Sequence, residues 1–219
     1  MNMKPHYNRK NVYFLRFHRR SAAFLYKPYY DNQSEWLRIN SYASTAQAIT
    51  APFTFYYVQD NDWNDSHNFQ FWNKNFSTDS DPGITNAATY KTIYDPSVSG
   101  FTLPKTAAFT NFTSSGETSD NIDELNVSGS FNKGWNFYTN GWRIGNTVFF
   151  HALGWRDSFS GRPTGTGAVT HVYEGSRYWT SGAYDVSGGR YMYILSNSVY
   201  PQDHFARSYG DTVRPAKED

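Results

Sequence analysis

Cysteine is missing from this chain, and only three methionines occur in its 219 residues. The first absence excludes a disulfide framework, thiolate metal ligands and a thiol nucleophile. Long apolar runs are also missing, since no stretch approaches the roughly 20 apolar residues that a membrane-spanning helix needs. Neither sign of charge is in excess. With a formal net charge of +1, whole-molecule charge steers the chain to neither nucleic acid nor an anionic membrane surface. Catalytic signatures are absent too: HExxH, GxSxG and GxxxxGK[ST] do not occur. The six histidines are scattered, and none pairs with another at metal-ligand spacing. No catalytic residue, metal ligand or cofactor is assigned on these grounds.

Charge is uneven along the chain. Lys4, Arg9, Lys10, Arg16, Arg19, Arg20 and Lys27 all precede the first acid, Asp31. Arg16, Arg19 and Arg20 interrupt what would be the apolar segment of a signal peptide. Residues 1–45 therefore read as a basic N-terminal extension or docking arm, with a solvated tail as the plain alternative. Carboxylates gather at Asp60, Asp62 and Asp65 and again at Asp79 and Asp81. Without EF-hand spacing they read first as turn-forming loop residues and second as calcium ligands. Arg156 and Asp157, beside Trp155, read as a structural ion pair, because one guanidinium and one carboxylate without a base or nucleophile make no mechanism.

What the chain has in quantity is aromatic surface. Phe, Trp and Tyr make up 19% of it, including 18 tyrosines. A core built on such rings buries large areas per side chain, but every buried tyrosine needs a partner for its hydroxyl. Some tyrosines are therefore expected at the surface. From about residue 50 the texture is strand and turn: "APFTFYYVQ", "GWNFYT", "NTVFFHAL", "SRYWTS", "GRYMYILS" and "TVRPAKE" are separated by Gly and Asn. "LPKTAAFTNF" (103–112) reads as a short helix with Pro104 near its start. "SDNIDEL" (119–125) reads as one further turn of helix. In "RYMYILS" (190–196) alternation puts Met192 and Ile194 on one side and Tyr191, Tyr193 and Leu195 on the other. The first side reads as core. The second reads as a displayed surface or a second packed face, with display favoured because the aromatic, polar run "YPQDHFARSYGD" (200–211) follows as an apparent loop.

Three ordered blocks carry a family resemblance: "KTIYDPSVSGFTLPKTAAFTNFT", "FNKGWNFYTNGWRIGNTVFFHALGWRDSFSG" and "RYWTSGAYDVSGGRYMYILSNSVYPQDHFARSYGDTVRPAKE". Together they resemble the C-type-lectin-like variable proteins of diversity-generating retroelements, a family that includes phage major tropism determinants. They also share motifs with gut-bacterial fimbrillin-like surface proteins. The resemblance spans roughly residues 50–217 and leaves the basic N-terminus unmatched. It implies an α+β, mostly β, C-type-lectin-like fold with few short helices. The ligand-binding domain would run over 46–219, with a variable region at about 175–212. The family's fixed positions fall on Tyr178, Trp179, Ser181, Met192, Ile194, Val199, Pro201, Gln202, Arg207, Gly210, Val213 and Arg214. Its Asn-rich positions fall on Asp185, Ser187, Gly188, Tyr191, Tyr193, Tyr200, Asp203, His204, Phe205, Ala206 and Tyr209. Each of these residues is reachable from an Asn codon by changing adenines alone, as adenine-directed mutagenesis would leave it.

The resemblance thus implies a non-enzymatic receptor- or ligand-binding protein that displays a diversified, Tyr-rich face. Candidate contacts are the variable positions just named together with Tyr184, Arg190 and Asp211. Arg207 is expected to brace loop carbonyls or an acid. Expected partners are a protein or glycan receptor on a cell surface. The arm would attach the domain to a virion or pilus, at a phage tail or bacterial cell surface, and oligomers are compatible with this role. Two alternatives stand beside it: a structural pilus, fimbrial or virion subunit, and a calcium-dependent glycan-binding lectin. Formylglycine-generating enzymes share the fold, but their cysteine chemistry is excluded here. Ser97 stands where many relatives have cysteine, and His151 and Trp155 replace a commoner Pro and Tyr.

Overall fold

The structure, a computed structural model, describes residues 37–40, 43–50, 54–57, 62–64, 67–76, 81–156 and 169–218. In chain order its elements begin with β1 (Leu37–Asn40), α1 (Thr45–Thr50), β2 (Thr54–Tyr57) and β3 (Phe101–Thr102). Next come β4 (Val127–Ser128), β5 (Gly134–Tyr138), β6 (Thr147–His151), β7 (Trp155–Arg156) and β8 (Val169–Thr170). Last are β9 (Gly175–Ala183), β10 (Gly188–Leu195), β11 (Val199–Ala206) and β12 (Ala216–Lys217). Among the described residues, 3-10 turns lie at Thr110–Phe112 and Ile122–Glu124. The chain is therefore mostly β with very little helix. Most of the basic arm, together with Asp60, Asp65, Asp79 and Asp157, lies outside the described residues.

Antiparallel sheets dominate. One has the order β11-β10-β9, another β4-β5-β6, and β3 with β12 and β7 with β8 form antiparallel pairs. Only β1 with β2 is parallel among the described strands. The expected helix over 103–112 is replaced by turns that end in the 3-10 segment Thr110–Phe112. Tertiary bonds take the groups a helix would use. The Pro104 carbonyl accepts from Ser181 N at 2.8 Å. Ala107 N donates to Thr85 O at 3.1 Å, and the Thr106 hydroxyl holds the same segment by accepting from Thr85 N at 2.7 Å and donating to Gly83 O at 2.8 Å. Conversely, α1 carries a capping box legible as Ser-x-x-Gln. Gln47 N donates to Ser44 Oγ at 3.2 Å, and Ser44 N donates to Gln47 Oε1 at 2.8 Å.

The main core lies between the two three-stranded sheets. Tyr178, Met192, Ile194 and Val199 meet Trp135, Phe137 and Phe150 from β5 and β6, with Phe109, Phe112 and Leu125 closing the cluster. Phe112 stacks on Phe137 at 4.0 Å, and Phe150 stands edge-on to Phe137 at 5.6 Å and to Tyr178 at 5.1 Å. The polar atoms of these large rings find partners. Trp135 Nε1 donates to Leu195 O at 2.8 Å, and the Tyr178 hydroxyl donates to His151 O at 2.6 Å. Burial raises the Tyr178 hydroxyl pKa, so it stays a donor at any physiological pH. The Met192 and Ile194 side of β10 is thus core, as alternation predicts.

Candidate ligand-binding face

The other side of β10 is where the sequence reading expects a displayed surface. Register pairs Tyr191 with Trp179 and Asp203, and Tyr193 with Arg177 and Tyr200. A register irregularity between Tyr191 and Tyr193 keeps Tyr200 and Asp203 beside these two rings. Tyr193 stacks on Tyr200 at 5.4 Å, and Trp155 from β7 meets Tyr193 edge-on at 5.4 Å. Phe205, one alternation beyond Asp203, stands edge-on to Tyr209 at 4.9 Å. Half of the run expected to be a loop is therefore strand, because its backbone pairs with β10.

Arg177 is the centre of this arrangement. Its guanidinium carbon lies 4.3 Å from the Trp155 ring centroid, 5.0 Å from Tyr209, 5.1 Å from Phe205, 5.3 Å from Tyr191 and 5.4 Å from Tyr193. Such contacts are attractive because each ring face is electronegative. Nε and Nη1 of Arg177 are nevertheless buried without a hydrogen-bond partner, and so are both carboxylate oxygens of Asp211. Burial pushes the Asp211 carboxyl up to about 7; the Arg177 charge opposes this and the Asp203 charge adds to it. The Tyr191 hydroxyl donates to Asp203 Oδ2 at 3.3 Å.

The expected display of the whole set needs correction. Tyr191 is 2% exposed and packs with Leu103 and Trp179 in a second core cluster, flanked by Trp72, Tyr193 and Val213. Tyr209 and Ala206 are buried with Trp155 in a third cluster. Asp211 and Gly188 are buried as well. Covering residues from distant parts of the chain turn these positions from display into floor. At Gly189 a Cβ would come 2.6 Å from Trp179 Cζ3, so the indole lies directly on the hairpin backbone.

Arg190 is also withdrawn from contact duty. Its Nε donates to Asp81 Oδ1 at 2.8 Å and its Nη2 to Asp81 Oδ2, a two-pronged ion pair. The guanidinium also faces Tyr184 at 5.0 Å, and Tyr184 stacks on His204 at 3.4 Å. Because Arg190 and His204 alternate with Tyr191 and with Asp203 and Phe205, this trio lies on the opposite side of the hairpin from Arg177. Asp185 turns the chain between β9 and β10 by accepting from Ser187 N at 2.8 Å.

The predicted set thus divides. Tyr193, Tyr200 and Asp203 are half-buried and Phe205 is 41% exposed on the Arg177 side. Tyr184 and His204 lie on the other side, with Asp185 and Ser187 at the connecting turn. Val186, 58% exposed at that turn, was not anticipated. Arg177 was missed, although strand alternation from Trp179 would have placed it among the tyrosines.

Arg207 braces loops as expected. Its Nη1 donates to Asn68 O at 2.8 Å, and its Nη2 donates to Asp62 Oδ2 at 2.6 Å and to Val186 O. Asp62 also accepts from Trp63 N at 2.8 Å. That carboxylate is a structural anchor in this setting. Among the described residues, no group of three or more His, Cys, Asp or Glu is placed to hold a metal ion, and no helix is long and apolar enough to cross a membrane. No family model, no curated protein and no solved structure matches this chain.

Proposed function

We propose that the chain is a non-enzymatic, lectin-like ligand-binding protein that adheres to a phage-host or other bacterial cell surface through its β10–β11 hairpin. One observation supports this reading: every exposed residue among the positions that the family resemblance distinguishes is a variable one, although the variable positions Gly188, Tyr191, Ala206 and Tyr209 are buried. Of the positions marked as fixed, Tyr178, Trp179, Ser181, Met192, Ile194, Val199, Pro201 and Arg207 are buried and none is exposed. Of those marked as variable, Asp185, His204 and Phe205 are exposed, and Ser187, Tyr193, Tyr200 and Asp203 are half-buried. A scaffold that tolerates change at its outer positions suits a diversified binding protein. Tyr and Phe then supply large, rigid contacts at low entropy cost, as in antibody paratopes. Truncating an anchor ring is expected to cost about 1–3 kcal/mol of binding, and several copies on one particle would add avidity.

The test uses fluorescently labelled protein on a panel of bacterial cells read by flow cytometry. The triple variant Tyr200→Ser, His204→Ala, Phe205→Ala should lose staining while keeping its thermal transition. Undiminished staining by the triple variant would sink the reading. A second reading, a virion or pilus subunit, is favoured by the exposed side chains of Ile93, Val98 and Phe101. Sedimentation mass separates the two, since a subunit assembles and its assembly fails when these three are replaced by polar residues.

A further inference from the structure

The tip of the β5–β6 hairpin, residues 139–146, carries chemistry that the β10–β11 face does not use. It reads "TNGWRIGN", and Asn140–Gly141 is the only Asn-Gly step in the chain. Asparagine is a chemically labile residue. Its carboxamide carbon can be attacked by the backbone nitrogen of the next residue, which closes a cyclic imide. Glycine in that next place has no Cβ to obstruct the approach, and its backbone turns freely.

The fold leaves this step open and closes its surroundings. Asn140 is exposed, and Gly141 holds φ at +96°, a backbone state that suits glycine. Anchors lie on either side of the pair. Thr139 N donates to Asn146 O at 2.9 Å. The buried Asn126 donates from Nδ2 to Gly141 O at 2.5 Å, and its Oδ1 accepts from Arg143 N. Between these anchors, neither the Asn140 carboxamide nor the Gly141 N–H bonds to a described residue. The carboxamide rests over Gly145, where a Cβ would come 2.9 Å from Asn140 Nδ2. Other asparagines are held differently. Asn126 Nδ2 also donates to Asn111 O at 2.8 Å, Asn73 Oδ1 accepts from Tyr90 N at 3.1 Å, and Asn64 Nδ2 donates to Ala43 O at 2.9 Å. All three are buried, and none precedes a glycine.

We propose that Asn140 is a self-modification site, at which the Gly141 nitrogen closes on Asn140 Cγ in the folded protein and converts the residue to a mixture of aspartate and isoaspartate. Water is the only co-reactant. The Gly141 N–Cγ bond forms and the Cγ–Nδ2 bond breaks, and Nδ2 leaves as ammonia with the proton from Gly141 N. Water then opens the imide at either carbonyl. Opening at the side-chain carbonyl gives aspartate in an ordinary backbone. Opening at the backbone carbonyl gives isoaspartate and lengthens the main chain by one carbon. Either product places a new negative charge in a tip that exposes Trp142 (40%) and Ile144 (63%). This inference stands apart from the binding role of the β10–β11 hairpin.

The experiment ages the full chain in mildly alkaline buffer, with a parallel sample unfolded in guanidinium chloride. Near-ultraviolet dichroism confirms that the first sample stays folded. Peptide mapping by mass spectrometry, with electron-transfer fragmentation, reads each asparagine and separates aspartate from isoaspartate. The folded sample should lose the Asn140 amide with first-order kinetics, its peptide gaining about 1 Da and containing isoaspartate as well as aspartate. An acidic band should grow on isoelectric focusing at the same rate. Asn126, Asn73 and Asn64 should stay intact over that interval. Asn140→Gln should abolish the acidic band, and a band that persists in this variant overturns the proposal by placing the change elsewhere. The wild-type peptide map decides the matter even where the variant fails to fold. Conversion in the unfolded sample alone overturns the proposal, because the fold then protects the step. An aspartate-only product overturns it as well, by assigning direct hydrolysis without an imide, and so does an intact Asn140 in both samples.

Discussion

The two sides of the β9–β10–β11 sheet are both aromatic, yet they handle polar atoms in opposite ways. On the Met192 and Ile194 side, Tyr178 and Trp135 direct their polar atoms to backbone carbonyls. On the Tyr191 and Tyr193 side, rings of similar size surround an arginine with orphaned donors, and the buried Asp211 carboxylate is left with orphaned acceptors. The first side gains stability from closed packing. The second gives up stability by leaving buried polar atoms without partners. Ring content alone therefore does not say how a packed aromatic layer treats its polar atoms; the partners brought in by the fold do.

Breaking the closed side should have the largest effect. Trp135 is fully buried, and Trp135→Ala removes both its packing and its bond to Leu195 O. Urea denaturation is expected to show a loss of about 3–5 kcal/mol. Next comes Arg207→Ala, which leaves Asp62 buried without its guanidinium partner. The same measurement should show a loss of about 3 kcal/mol. The loops around Asn68 and Val186 should become the first sites of proteolysis, because both lose an anchoring bond.

Asp211→Asn should move stability the other way. The folded pKa of Asp211 lies at about 7, above the ordinary carboxylate value of 3.8. The folded state therefore holds the proton more tightly than the unfolded chain. Stability is greatest below the unfolded value and declines as pH rises through the interval up to the folded value. The asparagine variant lacks this decline, so it should be more stable than wild type by about 2–4 kcal/mol near about pH 8, with the gain vanishing near about pH 4. Thermal melts across that range check the slope, and equal pH profiles for the two proteins would contradict the buried, ionisable assignment. The smallest effect is expected from Val186→Ser at the exposed β9–β10 turn, within about 0.5 kcal/mol by urea titration.

Much of the fold was legible because strand signals are local. "GWNFYT", "NTVFFHAL", "SRYWTS" and "GRYMYILS" coincide with β5, β6, β9 and β10 to within a residue or two. Alternation in β10 also assigned Met192 and Ile194 to the core. The failures lie where a distant partner overrides local preference. The Pro104 carbonyl and the Ala107 N–H give their bonds to Ser181 of β9 and to Thr85, so a helix-like sequence becomes turns. "YPQDHFARSYGD" lacks an alternating apolar pattern, yet β10 supplies the hydrogen bonds that make its first half a strand. Of the candidate site, His204, Phe205, Asp185 and the partly exposed tyrosines were legible as surface residues. Arg190 was not, because nothing beside it in the chain announces Asp81 as its partner.

By itself the amino-acid sequence determined that the protein is mostly β, that it lacks thiol chemistry, and that one side of β10 is apolar. These properties follow from composition and a two-residue period, both of which are local. Only the tertiary structure decided which tyrosines of the other side reach water. Leu103, Trp72 and Val213 cover Tyr191 from far along the chain, while Tyr200 and Phe205 keep an open flank. It also decided that polar atoms of Arg177 and Asp211 are buried without hydrogen-bond partners. Such an outcome depends on the spacing of whole strands and on which bonds the surrounding backbone has already used.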